Sequence, residues 1–332
     1  QTGKYPYENL IGGDGMQIQI DKRNPNIVFT GFQFGNYYRI DRANNKRDYI
    51  SPVQKKGEKP FRYNWQTPIL LSSHNQEILY MGSNFLHRSM NQGQTWTAIS
   101  PDLTQGAKEG NVAFGTIAAI SESPLQFGLL YTGSDDGLVH VSKDGGATWN
   151  IISGNLPQNR WISRVVASAH KKERVYVTLN GYRNDDFTTY VYMSDDFGQT
   201  WINIATNLPT SPVNVLVEDN VNEDVLYLGT DNGLYVSLNK GSLWNDFSNG
   251  IPNVAVHDLV IQKKAKDLVV GTHGRSIYKV NLEPVQQLNE KVLAENLHVF
   301  EIKKIKKSKE WGNNWSSWAK AAEPKAEIWF YS

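Results

Sequence analysis

The sequence has 332 residues, with 34 Lys and Arg against 33 Asp and Glu, and it contains no cysteine. The missing thiol excludes disulfide-stapled scaffolds and thiolate zinc sites, and the near-neutral charge gives no general attraction to nucleic acid. No apolar run reaches the roughly 20 residues of a membrane-spanning helix. A globular chain with one large domain or two small ones is therefore expected.

Six β-rich units of similar length follow one another along the chain. They begin near Met16, Thr67, Thr116, Ile162, Val213 and Val256. Each joins runs of β-branched and aromatic residues through Gly-containing turns, which is typical of antiparallel hairpins. In the fifth unit the pattern predicts strands over 213–218, 225–230, 234–237 and 244–247. The sixth unit has no obvious fourth strand.

An eight-residue motif, S-x-[DN]-x-G-x-[TL]-W, occurs in four of these units. It begins at Ser89, Ser142, Ser194 and Ser237. We expect its Asp or Asn side chain to accept hydrogen bonds from turn N–H groups, and its Trp ring to be buried between neighbouring units. The residues with this structural role are Asn91, Trp96, Asp144, Trp149, Asp196, Trp201, Asn239 and Trp244. None of these Asp or Asn residues is expected to be catalytic.

Repeats of about 45–55 residues with four short strands are typical of β-propeller blades. We label the strands of each blade A to D from the centre outward. The prediction is an all-β propeller over residues 1–282, with about six visible blades that belong to a larger ring or a two-propeller protein. A helical and polar linker is predicted over 283–322. Residues 323–332 are predicted to be the first strand of a β-sandwich that continues in a longer chain.

The octamers resemble Asp-box (BNR) repeats, which occur in sialidases, sortilin-type Vps10 domains and two-propeller xyloglucan-cleaving glycosidases. The segments GGDG at 12–15, YNWQTPI at 63–69, SPDLT at 100–104 and GTHGRSIY at 271–278 are similar to large bacterial BNR-repeat proteins. Members of that group are often labelled glycosyl hydrolase or sortilin N-terminal-like. The resemblance implies further blades before this region and an immunoglobulin-like β-sandwich after it. It also implies a secreted, periplasmic or cell-surface location in a bacterium.

Propellers usually bind ligands on the face formed by the B–C turns and D–A loops, around the mouth of the central channel. The candidate ligand-binding residues on this face are Arg160, Trp161, Tyr182, Arg183, Phe187, His273 and Arg275. The aromatic rings can stack on sugars or on peptide side chains. Arg275 either binds a ligand carboxylate or pairs with an acidic turn of a neighbouring blade. The insertion over 182–189 is the part of this face least explained by turn chemistry.

Acidic turns on the same face raise the alternative of glycoside hydrolysis. That reaction needs two carboxyl groups about 5–9.5 Å apart across a cleft. The candidate carboxylates are Asp135, Asp136, Asp185, Asp186 and Asp231. The competing interpretation is that Asp-Asp-Gly and Asp-Asn-Gly simply form turns. No cofactor is predicted, and the seven His residues lack zinc-ligand spacing. Calcium at adjacent Asp residues is left open, since Ca²⁺ takes several oxygen ligands.

Two functions remain in competition at the level of sequence. We predict a non-catalytic binding or scaffold propeller of a secreted or cell-surface protein, which recognises protein, peptide or glycan through the loop face. The alternative is a glycoside hydrolase with a pair of the candidate Asp carboxylates. The rest of a longer chain, or a surface complex, is a further expected partner. Neither nucleic-acid binding nor membrane insertion is expected.

Overall fold

The computed structural model describes residues 9–302 and, beyond them, 307–309, 311–314, 317–318, 320–321, 323 and 328–332. By contacts the chain divides into two compact units. The first holds the residues up to 260 together with 269–278, and the second holds 261–268 and 279–332.

Five four-stranded antiparallel sheets, each with its strands in chain order, follow one another along the first unit. The first two blades consist of β1 (Gln19–Ile20), β2 (Ile27–Phe32), β3 (Asn36–Asp41), β4 (Lys46–Tyr49), β5 (Ile69–Leu71), β6 (Leu79–Gly82), β7 (Leu86–Ser89) and β8 (Thr97–Ala98). The third and fourth consist of β9 (Ile117–Glu122), β10 (Leu130–Ser134), β11 (Val139–Ser142), β12 (Asn150–Ile151), β13 (Trp161–Ala167), β14 (Val175–Asn180), β15 (Tyr190–Ser194) and β16 (Ile202–Asn203). The fifth consists of β17 (Val213–Glu218), β18 (Leu226–Thr230), β19 (Gly233–Ser237) and β20 (Trp244–Asp246).

A sixth sheet has three strands, β21 (Val256–Gln262), β22 (Asp267–Thr272) and β23 (Ile277–Asn281). The predicted all-β propeller of four-stranded blades is therefore confirmed. The predicted boundaries in the fifth blade agree with the observed strands to within about a residue. Within the described residues the sixth sheet lacks a fourth strand, as the sequence pattern indicates.

Apolar residues fill the spaces between successive blades. One buried cluster joins β9–β11 to β13 and β14 through residues such as Tyr131, Val139, Ile162 and Val177. Strand A of each of the first four blades contacts strand A of the next, from β1 through β17. The B strands β6, β10 and β18 are buried along their whole length, whereas β8, β12 and β16 are exposed. Hydrophobic burial thus holds blade to blade, with the exposed D strands outermost.

The octamer forms a turn that locks each of four blades to the preceding one. In the fourth blade, Asp196 Oδ1 accepts the backbone N–H of Thr200 at 2.9 Å, and Ser194 Oγ accepts the N–H of Gly198 at 2.8 Å. Trp201 Nε1 donates to the carbonyl of Ile152 in the third blade at 2.7 Å. Gly198 has φ of +86°, and a Cβ there would come within 2.4 Å of the Ile152 side chain.

The other three octamers repeat these contacts. The Asn or Asp at the third position is Asn91, Asp144 or Asn239, and its Oδ1 accepts the N–H of the residue four positions later. Trp149 and Trp244 donate to the carbonyls of Ile99 and Ile204 at 2.9 and 2.6 Å, and Trp96 donates to Ile50. Each ring therefore bridges two blades.

The second unit holds the described part of the predicted linker. It contains two short helices, α1 (Glu283–Gln286) and α2 (Glu290–Leu293), and a two-stranded sheet of β24 (His298–Val299) and β25 (Phe330–Tyr331). Parts of the predicted linker and final strand, including 303–306 and 324–327, lie outside the described residues. The β-sandwich stays a prediction. Among the described residues, no helix has the length and apolar character to cross a bilayer.

Candidate functional site

A cavity of about 560 Å³ lies among strands A of the third to sixth blades, and we call it the central pocket. Its walls carry aromatic, amide and charged side chains. The lining residues are Gln66, Ala118, Trp161, Ser163, Arg164, Asn180, Tyr182, Arg183, Asn214, Asp231, Ala255, His257 and His273. Residues from four inner strands therefore converge on one space, with B–C turns and D–A loops around it.

An arginine stacked on two aromatic rings forms one wall of the central pocket. The guanidinium carbon of Arg183 lies 4.3 Å from the ring centre of Trp161 and 5.1 Å from that of Tyr182. Tyr182 and Arg183 belong to a single 3₁₀ turn over Tyr182–Asn184, and Trp161 begins β13. Cation–π attraction favours this stack. The turn thus presents both its residues to the pocket.

Two histidines and an ion pair form another wall. The ring centres of His257 and His273 are 5.2 Å apart. Arg164 donates to Asp258 at 2.8 Å, and the Asn214 amide donates to Asp231 at 2.9 Å. Partial burial, with the nearby His273 and Arg164, lowers the pKa of His257 below its usual value, although Asp231 and Asp258 oppose this.

The predicted ligand-binding residues divide into two groups. Trp161, Tyr182, Arg183 and His273 line the central pocket. Arg160, Phe187 and Arg275 do not line it: Arg160 is ion-paired with Asp186 at 2.7 Å, and Phe187 and Arg275 are exposed. Their predicted binding role stays a prediction. The structure therefore brings together four of the seven.

Of the five candidate carboxylates, Asp231 lines the central pocket. Asp135 is 4% exposed and accepts hydrogen bonds from the Oγ1 and N–H groups of Thr116 at 2.6 and 2.9 Å. Burial raises the pKa of Asp135 despite these bonds. Asp136, 2% exposed, accepts the N–H of Gln105 at 2.7 Å. The two carboxylates therefore tie their turn to neighbouring segments, at Thr116 before β9 and at Gln105 in the preceding D–A loop.

The two Asp residues of the 182–189 insertion have different environments. Asp185 ends the 3₁₀ turn with φ of 55°. Asp186 accepts hydrogen bonds from Arg160 at 2.7 Å and from Tyr190 at 2.9 Å. Burial opposes ionisation of Asp186, but these bonds and those from Thr188 hold its pKa well below the usual value. Asp186 therefore anchors the insertion that carries Tyr182 and Arg183.

Sequence reasoning missed six polar residues of the central pocket: Gln66, Ser163, Arg164, Asn180, Asn214 and His257. Three of them interrupt the apolar pattern of an inner strand, at Arg164 in β13, Asn214 in β17 and His257 in β21. A polar side chain in the innermost strand of a propeller blade is the signal that could have identified them. Among the described residues, no three His, Asp or Glu side chains cluster as a metal site would need.

Comparisons with known proteins agree with this architecture. A family model described as the DUF6242 beta propeller domain matches residues 70–278. A search of curated proteins finds no match. Among solved structures, a GH74 enzyme of Niastella koreensis is 19% identical with a TM-score of 0.58, over 80% of this chain and 45% of that one. YCF48 from Cyanidioschyzon merolae is 12% identical with a TM-score of 0.53, over 87% and 88%.

The GH74 xyloglucanase from Xanthomonas campestris is also similar, at 18% identity and a TM-score of 0.51, over 68% of this chain and 36% of that one. The chain thus spans less than half the length of either GH74 enzyme. At such identities the likeness concerns the fold alone, since one fold carries many functions.

Proposed function

The chain belongs to the DUF6242 β-propeller domain family, and we propose that its central pocket binds a ligand without chemically changing it. The observation that carries this proposal is the Trp161 and Tyr182 wall, which faces amide side chains within one pocket of about 560 Å³. Ligand sites in proteins combine apolar surface with a few placed polar groups in this way.

The state of the candidate carboxylates favours binding over glycoside hydrolysis. Asp135 and Asp136 are buried and hydrogen-bonded to Thr116 and Gln105, and Asp186 is ion-paired with Arg160. These contacts stabilise turns and leave the carboxylates occupied, whereas a glycosidase needs two carboxyl groups facing its substrate. Asp231 is the candidate that remains in the central pocket.

The finer relationship and the location are part of the same proposal. Each octamer has the hydrogen bonds expected of an Asp-box turn, which supports assignment to the BNR-repeat, sortilin-like proteins. Such proteins work at the cell surface or outside the cell, and we propose the same location here. Fractionation of bacteria that express the native gene tests this: a cytoplasmic product would contradict it.

Glycan and peptide arrays probed with the labelled full chain test the binding function. Trp161→Ala removes the ring under Arg183, and Phe127→Ala is the matched control, since Phe127 is an exposed aromatic residue outside the pocket. We expect Trp161→Ala to lower the affinity for the best array ligand about tenfold or more, the size typical of an aromatic residue central to a binding site. Phe127→Ala should leave it unchanged. A melting temperature for each variant shows that it is folded.

Product analysis on the same ligands separates binding from catalysis. We expect bound glycans to be recovered intact. Release of shorter sugars by the wild type, abolished in Asp231→Asn, would establish the hydrolase instead. Equal affinities of folded wild type and Trp161→Ala would contradict binding in the central pocket.

A further inference from the structure

We propose that the ligand of the central pocket is an acidic saccharide whose carboxylate is bound by Arg183, His257 and His273. This inference rests on the proposed function, because it names the ligand class of the same pocket. Two features of the pocket support it: a cation that still has hydrogen-bonding capacity, and the neutral polar groups beside that cation.

Among the described residues that line the pocket, Arg183 is the arginine without an acidic partner. Its guanidinium carbon lies over the rings of Trp161 and Tyr182, at 4.3 and 5.1 Å from their centres. Over the part of the chain that the structure describes, no Asp or Glu forms an ion pair with it. The N–H edges of a stacked guanidinium remain available, and their fork matches the two oxygens of a carboxylate.

The other charges of the pocket are already partnered. Arg164 donates to Asp258 at 2.8 Å and to the carbonyl of Ser163 at 3.0 Å. Asp231 accepts the amide of Asn214 at 2.9 Å. Among the described residues, Arg183 is therefore the unpaired arginine that an incoming carboxylate meets in the pocket. The other charged groups around it are the Arg164–Asp258 ion pair and Asp231, which accepts the amide of Asn214.

The two histidines can add positive charge to this pocket. Their ring centres are 5.2 Å apart, and the proximity of His273 is one cause of the lowered pKa of His257. The charged groups that act on His257 are His273, Arg164, Asp231 and Asp258, and burial with the first two lowers its pKa. A carboxylate bound at the edge of the His257 ring would oppose that effect. Binding should therefore take up protons and strengthen as the pH falls.

The neutral lining favours a sugar over other carboxylates. Gln66, Asn180 and Asn214 line the pocket with side-chain amides, and Asp231 adds a carboxylate. The Asn180 amide donates to Asn214 at 3.0 Å, and the Asn214 amide donates to Asp231 at 2.9 Å. Each NH₂ group has a second N–H and each oxygen a second lone pair, which match the adjacent hydroxyls of a pyranose ring. Tyr182 is 50% exposed, so part of its side chain is open beside them. A peptide carboxylate would leave these hydroxyl-binding groups unused.

Calorimetric titration of the full chain with trigalacturonate and with an oligoglucuronate tests the proposal. The methyl-esterified trigalacturonate is the matched neutral probe. At pH 5.5 we expect an acidic trisaccharide to bind about tenfold or more tightly than the ester, the size expected of one charge-assisted hydrogen bond. Arg183→Gln should reduce that preference several-fold, since the histidines still contribute. Arg47→Gln, an exposed arginine in β4 outside the pocket, should keep it.

The pH dependence gives a second, independent readout. From pH 7.5 to 5.5 we expect acid affinity to rise about three- to tenfold, since the sugar carboxyl, with a pKa near 4, stays ionised throughout. In the His257→Gln/His273→Gln double variant, the affinity for the acid should no longer rise as the pH falls. The variant should still bind both the acidic trisaccharide and its methyl ester. A rise unchanged in the folded double variant would overturn the role of the histidines.

The remaining outcomes separate this inference from the proposed function. If the acid and the ester bind equally and Trp161→Ala abolishes the binding of both, the acidic ligand is overturned, but the central pocket is still a binding site. Acid binding that Trp161→Ala leaves intact contradicts the pocket itself. Failure of both acidic saccharides at pH 5.5 overturns the inference, and so does tighter pocket binding of a peptide with a free C-terminal carboxylate. In those two cases, the glycan and peptide arrays still test whether the central pocket binds a ligand.

Discussion

The hydroxyl of Tyr176 donates a hydrogen bond of 3.0 Å to the carboxylate of Glu218, and this bond joins the fourth blade to the fifth. Glu218 also accepts hydrogen bonds from Ser168 Oγ and from the N–H of Ala169. The same arrangement joins the second blade to the third, where Glu122 accepts from Tyr80 and Ser72. A buried carboxylate with several donors therefore serves as a repeated link between blades.

Glu218→Ala should destabilise the propeller because it leaves these buried donors without an acceptor. We expect a loss of about 2–4 kcal/mol in the free energy of unfolding, summed over the lost bonds to a charged group. Glu109→Ala, on an exposed loop, is the control. Urea unfolding measures both. A loss below about 0.5 kcal/mol for Glu218→Ala, the range of ordinary surface changes, would show that the link contributes little.

The octamers contain their own test of what the Asp side chain does. Asn occupies the position of Asp196 in two of the four octamers, at Asn91 and Asn239, and its Oδ1 makes the same turn bond. Asp196→Asn should therefore cost less than about 1 kcal/mol, whereas Asp196→Ala should cost about 1–2 kcal/mol, as at helix caps. Thermal unfolding of the two variants should give clearly different midpoints. Equal midpoints would contradict a turn-capping role.

Two buried histidines should make the propeller less stable in mild acid. Burial lowers the pKa of His87 to about 4 and that of His140 to about 4. The unfolded chain takes up protons near the ordinary value of about 6.5. Their stabilising effect is therefore complete above that pH and is lost as the pH falls toward 4.

The measurement is the free energy of unfolding in urea at pH 7 and at pH 5. We expect it to fall by about 1–2 kcal/mol for each histidine across this interval, in proportion to the shift in pKa. His87→Gln should flatten the dependence by about half. If the wild-type protein has the same free energy of unfolding at pH 7 and at pH 5, neither histidine stays neutral in the folded state.

Asp186 should act on ligand binding through the position of the insertion. Its bond to Arg160 holds the segment that carries Tyr182 and Arg183. We expect Asp186→Asn to weaken binding in the central pocket several-fold, about 1 kcal/mol, and to speed amide exchange over 181–189. Asp185→Asn is the matched control, since Asn tolerates its left-handed backbone. Weaker binding with unchanged exchange would contradict this positioning role.

The sequence by itself determined the repeating fold. The octamers and the hairpin pattern mark each blade because they are local: Asp196, Gly198 and Trp201 lie within a few residues of one another and specify a turn. The strands of the fifth blade follow from alternating apolar residues and Gly turns, which are also local signals. Repetition of one local solution was enough to predict a propeller.

Only the tertiary structure decided the site. Arg164 and His257 are 93 residues apart in sequence, yet both line the central pocket because each lies on the innermost strand of its blade. Phe187 and Arg275 have side chains as suitable for binding as those of Tyr182 and His273, but blade geometry leaves them outside. Which loop residues share a pocket depends on how successive blades pack, and that packing is set by non-local burial between sheets.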